Sequence, residues 1–363
     1  MDDTEFQIYL PPGFPLDDLF DISEQLGKAD ICVPGYIPPE VGLYDIRGHF
    51  YESRKNGVQT ILLPDRNMAS RFAQLAEGKV IPNEEQRRAS AALLAFAQCL
   101  DIQMEPGIAF HELAHKQGND VSLTELGWFR AADRSRPQDV IDVAVGREDA
   151  LSSRYHPLEV KNVDLAAPLR RWNRNYVMCL KMLELEQRID KPLNRVLSLL
   201  EWMRDEFMFG GSVALLASVY FAPRSSPKEG VFKGKNSPHR DRALDGARNQ
   251  AWDLTHLSEF VRQASENEYT KKRYLFATFD QHLKLMAKLL FGFTKDAGGA
   301  DAHLAALSNW WPPSDARRII DAILAHVERI ESPDWTAKKA PFPDFINRMI
   351  KLGEQRILDI APR

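Results

Sequence analysis

Residues 58–76, VQTILLPDRNMASRFAQLA, decide the fold class of this chain. The first seven of these residues form a short apolar run, which is long enough for one buried strand. Asp65, Arg66 and Asn67 follow at once, and the remaining residues have the pattern of a helix. A strand, a polar corner and a helix in this order predict the first part of a βαβ unit in a parallel sheet.

A second unit of the same kind lies far along the chain. Residues 273–279, RYLFATF, predict another strand, Asp280 follows, and residues 281–292, QHLKLMAKLLFG, predict a helix. Because ligands bind outside the carboxyl ends of the strands in open α/β sheets, we expect Asp65 and Asp280 at one edge. Crowded carboxylates repel each other unless a divalent cation lies between them. The edge is therefore predicted to hold Mg²⁺ or Mn²⁺, which activate water and stabilise phosphoryl transfer.

Helix signals fill most of the remaining chain. Residues 165–222 carry apolar side chains at helical spacing, whereas the proline-rich residues 1–57 predict short strands and turns. Start and stop residues between the two strands predict four further helices. These are the capping pairs Asn83 with Gln86 and Ser122 with Glu125, the helix starts Pro106 and Pro137, and the stop Gly118.

The composition excludes several classes of protein. A chain of 363 residues with 44% hydrophobic and 27% charged residues is neither disordered nor collagen-like nor a coiled coil. The net charge of −4 excludes a generally basic nucleic-acid coat protein. No apolar run is long enough for a membrane helix, and the first residues lack a signal-peptide pattern. Three widely spaced cysteines indicate buried thiols in a reducing compartment, so we expect a cytoplasmic protein.

Residues 223–248 differ in composition from the rest of the chain. They are rich in Pro, Gly and Ser and contain seven basic and three acidic residues. The pattern predicts a flexible basic loop, which is either a solvated linker or a surface that contacts phosphates. The candidate phosphate contacts are Lys233, Lys235, Arg240 and Arg242.

Two acidic residues within predicted helices complete a candidate site. Glu112 lies in PGIAFHELA, and Asp253 lies in AWDLTHL, one turn before His256. An Asp at the start of a helix is often only an N-cap, so the matching positions of Asp65 and Asp280 carry more weight than either acid alone.

The segments LLPDRN, PGIAFHELA, AWDLTHL and LFATFDQHL, in this order, resemble the motifs of PIN-like nucleases. The resemblance covers residues 58–145 and 245–292. It implies a Rossmann-like parallel sheet flanked by helices and metal-dependent hydrolysis of phosphodiester bonds, usually of RNA and less often of DNA. It assigns the catalytic, metal-binding acids to Asp65, Glu112, Asp253 and Asp280, and a substrate contact to Asn67.

The spacing departs from that of a compact PIN-like domain, because Glu112 and Asp253 are 141 positions apart. A large helical insertion is therefore expected between them, and Asp139 or Asp142 would be substitutes for Asp253. The predicted organisation is an N-terminal extension at 1–57, a catalytic core at 58–150 and 245–295, a helical insertion at 151–244 with the basic loop at 223–244, and a helical C-terminal region at 296–363.

Two other functions compete with the nuclease. His111-Glu112-Leu113-Ala114-His115 is an HExxH sequence, which on a helix places two His on one face to hold Zn²⁺, with the Glu as general base of a metallopeptidase. The third ligand position falls on Val121, which cannot bind zinc. In the second alternative the acids are caps and surface charges of a non-catalytic interaction protein. A homo-oligomer, an inhibitory partner protein, and roles in defence, as a toxin or in RNA processing all stay open.

Overall fold

The computed structural model of the chain describes residues 7–35, 42–224, 230–291, 299–332 and 344–360. Part of the predicted basic loop, 225–229, and parts of the predicted core and C-terminal region, 292–298 and 333–343, lie outside these residues. The chain divides into two compact units. Unit 1 comprises Met1–Ala167 and Glu259–Lys284, and unit 2 comprises Pro168–Ser258 and Leu285–Arg363. The described residues of the predicted N-terminal extension, 7–35 and 42–57, thus belong to the unit that contains both predicted strands.

Unit 1 contains a four-stranded sheet, and the fold is mixed α/β as predicted. The strands in chain order are β1 Cys32–Gly35, β2 Gln59–Pro64, β3 Gln103–Met104 and β4 Lys272–Ala277, and they lie in the order β1-β4-β2-β3. β2 is parallel to both β3 and β4, while β1 pairs antiparallel with β4. Pro64 pairs with Ala277, so β2 and β4 end level with each other.

Helices surround this sheet. They are α1 Leu16–Ala29, α2 Ile46–Phe50 with a π-helical turn Tyr51–Lys55, α3 Arg66–Glu77, α4 Glu84–Cys99, α5 Gly107–Gln117, α6 Asn119–Asp133 and α7 Pro137–Ala144. Asn83 caps α4, as predicted, because its side chain accepts a hydrogen bond from the amide of Gln86 at 2.9 Å. Gly118 ends α5, also as predicted.

Two sequence predictions are wrong in unit 1. Residues 16–29 form α1 rather than strands and turns, because Leu19, Ile22 and Leu26 make a fully buried stripe at helical spacing that packs towards α4. The capping pair of Ser122 and Glu125 does not start a helix, because α6 already begins at Asn119. The Ser122 hydroxyl instead donates a hydrogen bond to the carbonyl oxygen of Phe110 at 2.6 Å.

Both faces of the sheet are covered. On one face Leu62, Leu275 and Ala277 belong to the large hydrophobic core formed with α1, α3 and α4. On the other face the ring of Phe276 stacks on that of Phe260, with ring centroids 5.4 Å apart. Burial on both faces is why β2 and β4 read as continuous apolar runs rather than as alternating patterns.

Unit 2 is helical in the part that the structure describes. Its helices are α8 Arg170–Arg188, α9 Pro192–Asp205, α10 Gly211–Tyr220, α11 Arg240–Glu266, α12 Gln281–Phe291, α13 Gly299–Ser308, α14 Pro313–Glu331 and α15 Phe345–Leu358. The residues of α11 from Glu259 onward, and those of α12 up to Lys284, belong to unit 1.

The prediction of a flexible loop at 223–248 is wrong from Arg240 onward, where α11 begins. Ala243, Leu244 and Ala247 form its buried face. The preceding residues pack closely on this helix, because a Cβ atom at Gly246 would lie 2.1 Å from the carbonyl oxygen of Lys233. A glycine at position 246 is what allows this approach.

Among the described residues, no helix is both long enough and apolar enough to cross a membrane.

Candidate functional site

The carboxyl ends of β2 and β4 bring two predicted acids together through one hydroxyl group. The Thr278 hydroxyl donates a hydrogen bond to Oδ2 of Asp65 at 2.6 Å. The same hydroxyl accepts a hydrogen bond from the backbone amide of Asp280 at 2.9 Å. Asp65, Thr278 and Asp280 therefore form one hydrogen-bonded chain at this edge, which we call the acidic edge.

Asp65 is fixed by its place between a strand and a helix. Its amide donates to the carbonyl oxygen of Ala277 at 2.9 Å, which extends the pairing of β2 with β4 by one residue. Its Oδ1 accepts a hydrogen bond from the amide of Met68 at 2.7 Å and so caps α3. The side chain is only 3% exposed. Asp65 is thus an N-cap and also the buried member of the acidic edge.

Asp280 has the same local role with greater exposure. Its Oδ1 accepts a hydrogen bond from the amide of Leu283 at 2.9 Å, at the start of α12. The residue is exposed, whereas Thr278 behind it is buried. Two helices of eleven residues or more therefore begin at the acidic edge, and the N-terminal ends of helices attract anions.

The other two predicted acids have different surroundings. Glu112 on α5 is buried and forms an ion pair with Lys116 at 2.7 Å. Asp253 lies on the part of α11 that belongs to unit 2, where burial and the negative charge of Asp253 raise the pKa of Cys179. Within the described residues there is no group of three or more His, Cys, Asp or Glu side chains arranged to hold a metal ion.

The substitutes considered for Asp253 are engaged around α7. Burial raises the pKa of Asp139, but hydrogen bonds from Ser153 and Tyr155 lower it more, so the pKa is below its ordinary value. The Tyr155 hydroxyl donates to Asp139 at 2.7 Å. Asp142 forms an ion pair with Arg147 at 2.7 Å. Both carboxylates thus hold the segment that follows α7.

The two His of the HExxH sequence are anchored to backbone oxygens. Nδ1 of His111 lies 2.8 Å from the carbonyl oxygen of Leu165, and Nδ1 of His115 lies 2.9 Å from that of His111. No third ligand accompanies them in the described part of the chain. His111 therefore holds the loop at Leu165 to α5, and the contact of His115 with His111 lies within the helix itself.

The predicted substrate contacts fall into two groups. Asn67 is exposed in the first turn of α3, two residues after Asp65. Lys233 and Arg242 are exposed as well. Lys235, by contrast, bonds Glu186 at 2.7 Å and Tyr220 at 2.6 Å, and Arg240 donates to the carbonyl oxygen of Lys235 at 2.8 Å. These last two cations stabilise unit 2.

Sequence reasoning missed three side chains at or beside the acidic edge. Thr278 belongs to no recognisable motif, because a Thr within an apolar run is common in strands. Arg66 forms an ion pair with Glu125 in which one guanidinium nitrogen lies 2.8 Å from each of the two carboxylate oxygens. His282 has both ring nitrogens buried, and neither has a hydrogen-bond partner in the part of the chain that the structure describes. Burial lowers its pKa, and the charge of Asp280 opposes this shift.

No protein-family model, no curated protein and no solved structure matches the chain.

Proposed function

We propose that the chain is a metal-dependent nuclease, PIN-like in its core, that hydrolyses phosphodiester bonds of RNA at the acidic edge. The observation that carries the proposal is the hydrogen-bonded chain of Asp65, Thr278 and Asp280 at the carboxyl ends of two neighbouring parallel strands. Ligand sites of open α/β sheets lie at these ends of the strands.

The donor chemistry of the edge fits Mg²⁺ or Mn²⁺. Both ions prefer oxygen ligands, and Mg²⁺ is often bound by one or two carboxylates together with waters and substrate phosphates, without a closed cage of side chains. Asp65 and Asp280 would hold the ion. When bound, such an ion lowers the pKa of a coordinated water and stabilises charge on the phosphoryl group.

The chain's own residues would bind and orient the substrate. The amide ends of α3 and α12 favour a phosphate group at the acidic edge. Asn67, exposed in the first turn of α3, can donate an amide hydrogen bond to a phosphate oxygen. Thr278 keeps the Asp65 carboxylate oriented, because its hydroxyl donates to Oδ2. The preference for RNA over DNA follows the PIN-like resemblance.

The test is cleavage of labelled single-stranded RNA with Mg²⁺ or Mn²⁺ by the wild type, Asp65→Asn and Asp280→Asn. Asn is as good an N-cap as Asp, so Asp280→Asn should fold with an unchanged melting curve. In Asp65→Asn an amide group replaces the oxygen that accepts the Thr278 hydroxyl, so this variant should melt at a lower temperature and is assayed below its transition. We expect each to cut at least about 100-fold more slowly, a loss of about 2.7 kcal/mol of transition-state stabilisation. Glu148→Gln, which removes an exposed carboxylate after α7, is the matched control and should keep the wild-type rate.

Wild-type rates in both Asn variants would contradict the proposal. Glu112→Gln and Asp253→Asn in the same assay decide whether these acids contribute. A peptidase would instead show zinc-dependent cleavage of protein substrates that is lost in His115→Ala and kept in Asp280→Asn.

A further inference from the structure

At the opposite edge of the sheet, where β2 and β4 begin, lie exposed cations that have no ion-pair partner among the described residues. Arg54 and Lys55 end the π-helical turn before β2, and Lys271 and Lys272 lie at the start of β4. All four are exposed. Many other lysines and arginines of the described residues are paired with carboxylates at 2.5–3.1 Å, whereas these four are not.

The parallel pairing of the strands joins these cations into one surface. The amide of Gln59 donates to the carbonyl oxygen of Lys271 at 2.7 Å, and Gln59 pairs with Lys272. A Cβ atom at Gly57 would lie 3.5 Å from Nζ of Lys271. Two segments more than 200 positions apart therefore present their charges together, which no local sequence pattern could reveal.

Exposed aromatic rings accompany the cations. Tyr269, in the turn that leads into β4, is 94% exposed, and Tyr51, at the start of the π-helical turn, is 44% exposed. A single exposed aromatic ring is common on protein surfaces. Aromatic rings among cations are the pattern of surfaces that bind single-stranded nucleic acid, because bases stack on the rings while cations contact phosphates.

A cavity of about 630 Å³ opens beside these cations. Arg54, Gln59, Gln103, Asp101 and Asp133 are among its lining residues. Carboxylates and amides are the groups that accept from, and donate to, the polar edges of bases. Arg54 thus lines the cavity together with hydrogen-bonding side chains, while the three lysines are not among its lining residues. The group offers cations for the phosphates and polar side chains for the bases of one strand.

We propose that Arg54, Lys55, Tyr269, Lys271 and Lys272, with the adjoining cavity, form a docking surface for single-stranded RNA, here called the basal surface. Its role as a substrate site rests on the proposed nuclease function. The six residues of β2 separate it from Asp65 by about 20 Å at ~3.3 Å per residue. An RNA that covers only the acidic edge therefore does not reach the basal surface.

Binding can be measured apart from cleavage. Fluorescence anisotropy of a labelled single-stranded RNA, with EDTA present to prevent cleavage, measures affinity alone. An RNA of about 20 nucleotides is long enough, because surfaces of this kind contact about 4–16 nucleotides. We expect the double charge reversal Lys271→Glu with Lys272→Glu to raise Kd at least about 10-fold and to reduce the salt slope by about 2, since each phosphate contact contributes about one. Tyr269→Ala should weaken binding without changing the salt slope.

The matched control reverses two exposed lysines of unit 2, Lys191→Glu with Lys351→Glu, and so makes the same change in net charge. Equal weakening in both double variants, or none in either, would overturn the proposal. So would tighter binding to anionic lipid vesicles than to RNA. RNA binding lost only in the Lys271 and Lys272 variant, with no cleavage by the wild type, would keep the basal surface and reject the nuclease. If the wild type cleaves RNA and the Lys271 and Lys272 variant binds RNA with unaltered affinity, the nuclease is kept and the basal surface is rejected.

Discussion

Thr278 is the residue that connects the two acids of the candidate site. Its hydroxyl donates to the buried Asp65 carboxylate and accepts from the amide of Asp280, and its own amide donates to the carbonyl oxygen of Ile31 at 2.9 Å. This one residue therefore links the end of β4, the residue before β1 and the residues that cap α3 and α12. A change at this position should affect both folding and chemistry.

Thr278→Val keeps the shape of the side chain and removes the hydroxyl. It leaves a buried carboxylate without one of its hydrogen bonds, so we expect the free energy of unfolding to fall by about 2 kcal/mol and RNA cleavage to fall with it. Thr278→Ser, which keeps the hydroxyl, is the control. Urea unfolding and the RNA assay measure the two effects; a Val variant equal to the Ser variant in both would show that the link has no role.

The acids themselves were predictable from sequence, and their partners were not. Asp65 and Asp280 each follow an apolar run and precede a helix, a local pattern that one sequence shows. Thr278 meets Asp65 only because β2 and β4 pair, and these residues are 213 positions apart. The basal surface also depends on the pairing of β2 with β4, so it could not be predicted from the sequence either.

Among the secondary-structure elements, the strands that could be predicted from the sequence are the longer ones that are buried on both faces. β2 and β4 have six residues each and are buried on both faces, so their apolar runs stand out. β3 has two residues and β1 contains Pro34 and Gly35, so neither has a pattern of its own. They are strands because a neighbouring strand pairs with them. The start of α11 could not be predicted from the sequence, because this stretch contains basic residues and Gly246. The glycine is there because it allows close packing.

Gly246 supplies a test of that packing. Ala is a better helix former than Gly by about 1 kcal/mol, so propensity alone predicts that Gly246→Ala stabilises α11. Its Cβ would lie 2.1 Å from the backbone oxygen of Lys233, and we expect overpacking to win by about 1–3 kcal/mol.

Gly27→Ala in α1 is the matched control, because a Cβ atom there meets nothing within 4 Å. This variant should be more stable than the wild type by about 0.5–1 kcal/mol. Differential scanning calorimetry of the two variants compares them directly. A stabilised Gly246→Ala variant would mean that residues 230–239 do not rest on α11 in solution.

At the scale of the whole molecule, unit 1 is assembled from two distant stretches of chain. β4, which lies between β1 and β2, comes from the second stretch, Glu259–Lys284. A fragment of residues 1–167 therefore lacks a central strand, and we expect no cooperative urea unfolding from it. Fusing residues 259–284 to this fragment through a flexible Gly/Ser linker should restore the transition. Cooperative unfolding of the 1–167 fragment alone would contradict this division.

The division also bears on the predicted organisation of the chain. The 141 positions between Glu112 and Asp253, more than a compact PIN-like domain needs, predicted a helical insertion within one core. The boundaries of the units depend on which residues pack together across long separations. Sequence periodicity does not show such packing. Residues 1–57 were therefore predicted as an extension, and residues 245–258 as part of the core, without knowledge of their contacts.

The rate of RNA cleavage by the wild-type chain and by the double variant Asp65→Asn with Asp280→Asn distinguishes a nuclease that acts at the acidic edge from a protein that does not. Both are assayed at equal concentration with Mg²⁺, with Mn²⁺ and again with EDTA. We expect metal-dependent cleavage by the wild type that EDTA abolishes and that the folded double variant lacks. Equal cleavage by both proteins, or no cleavage by the wild type with either Mg²⁺ or Mn²⁺, would contradict it.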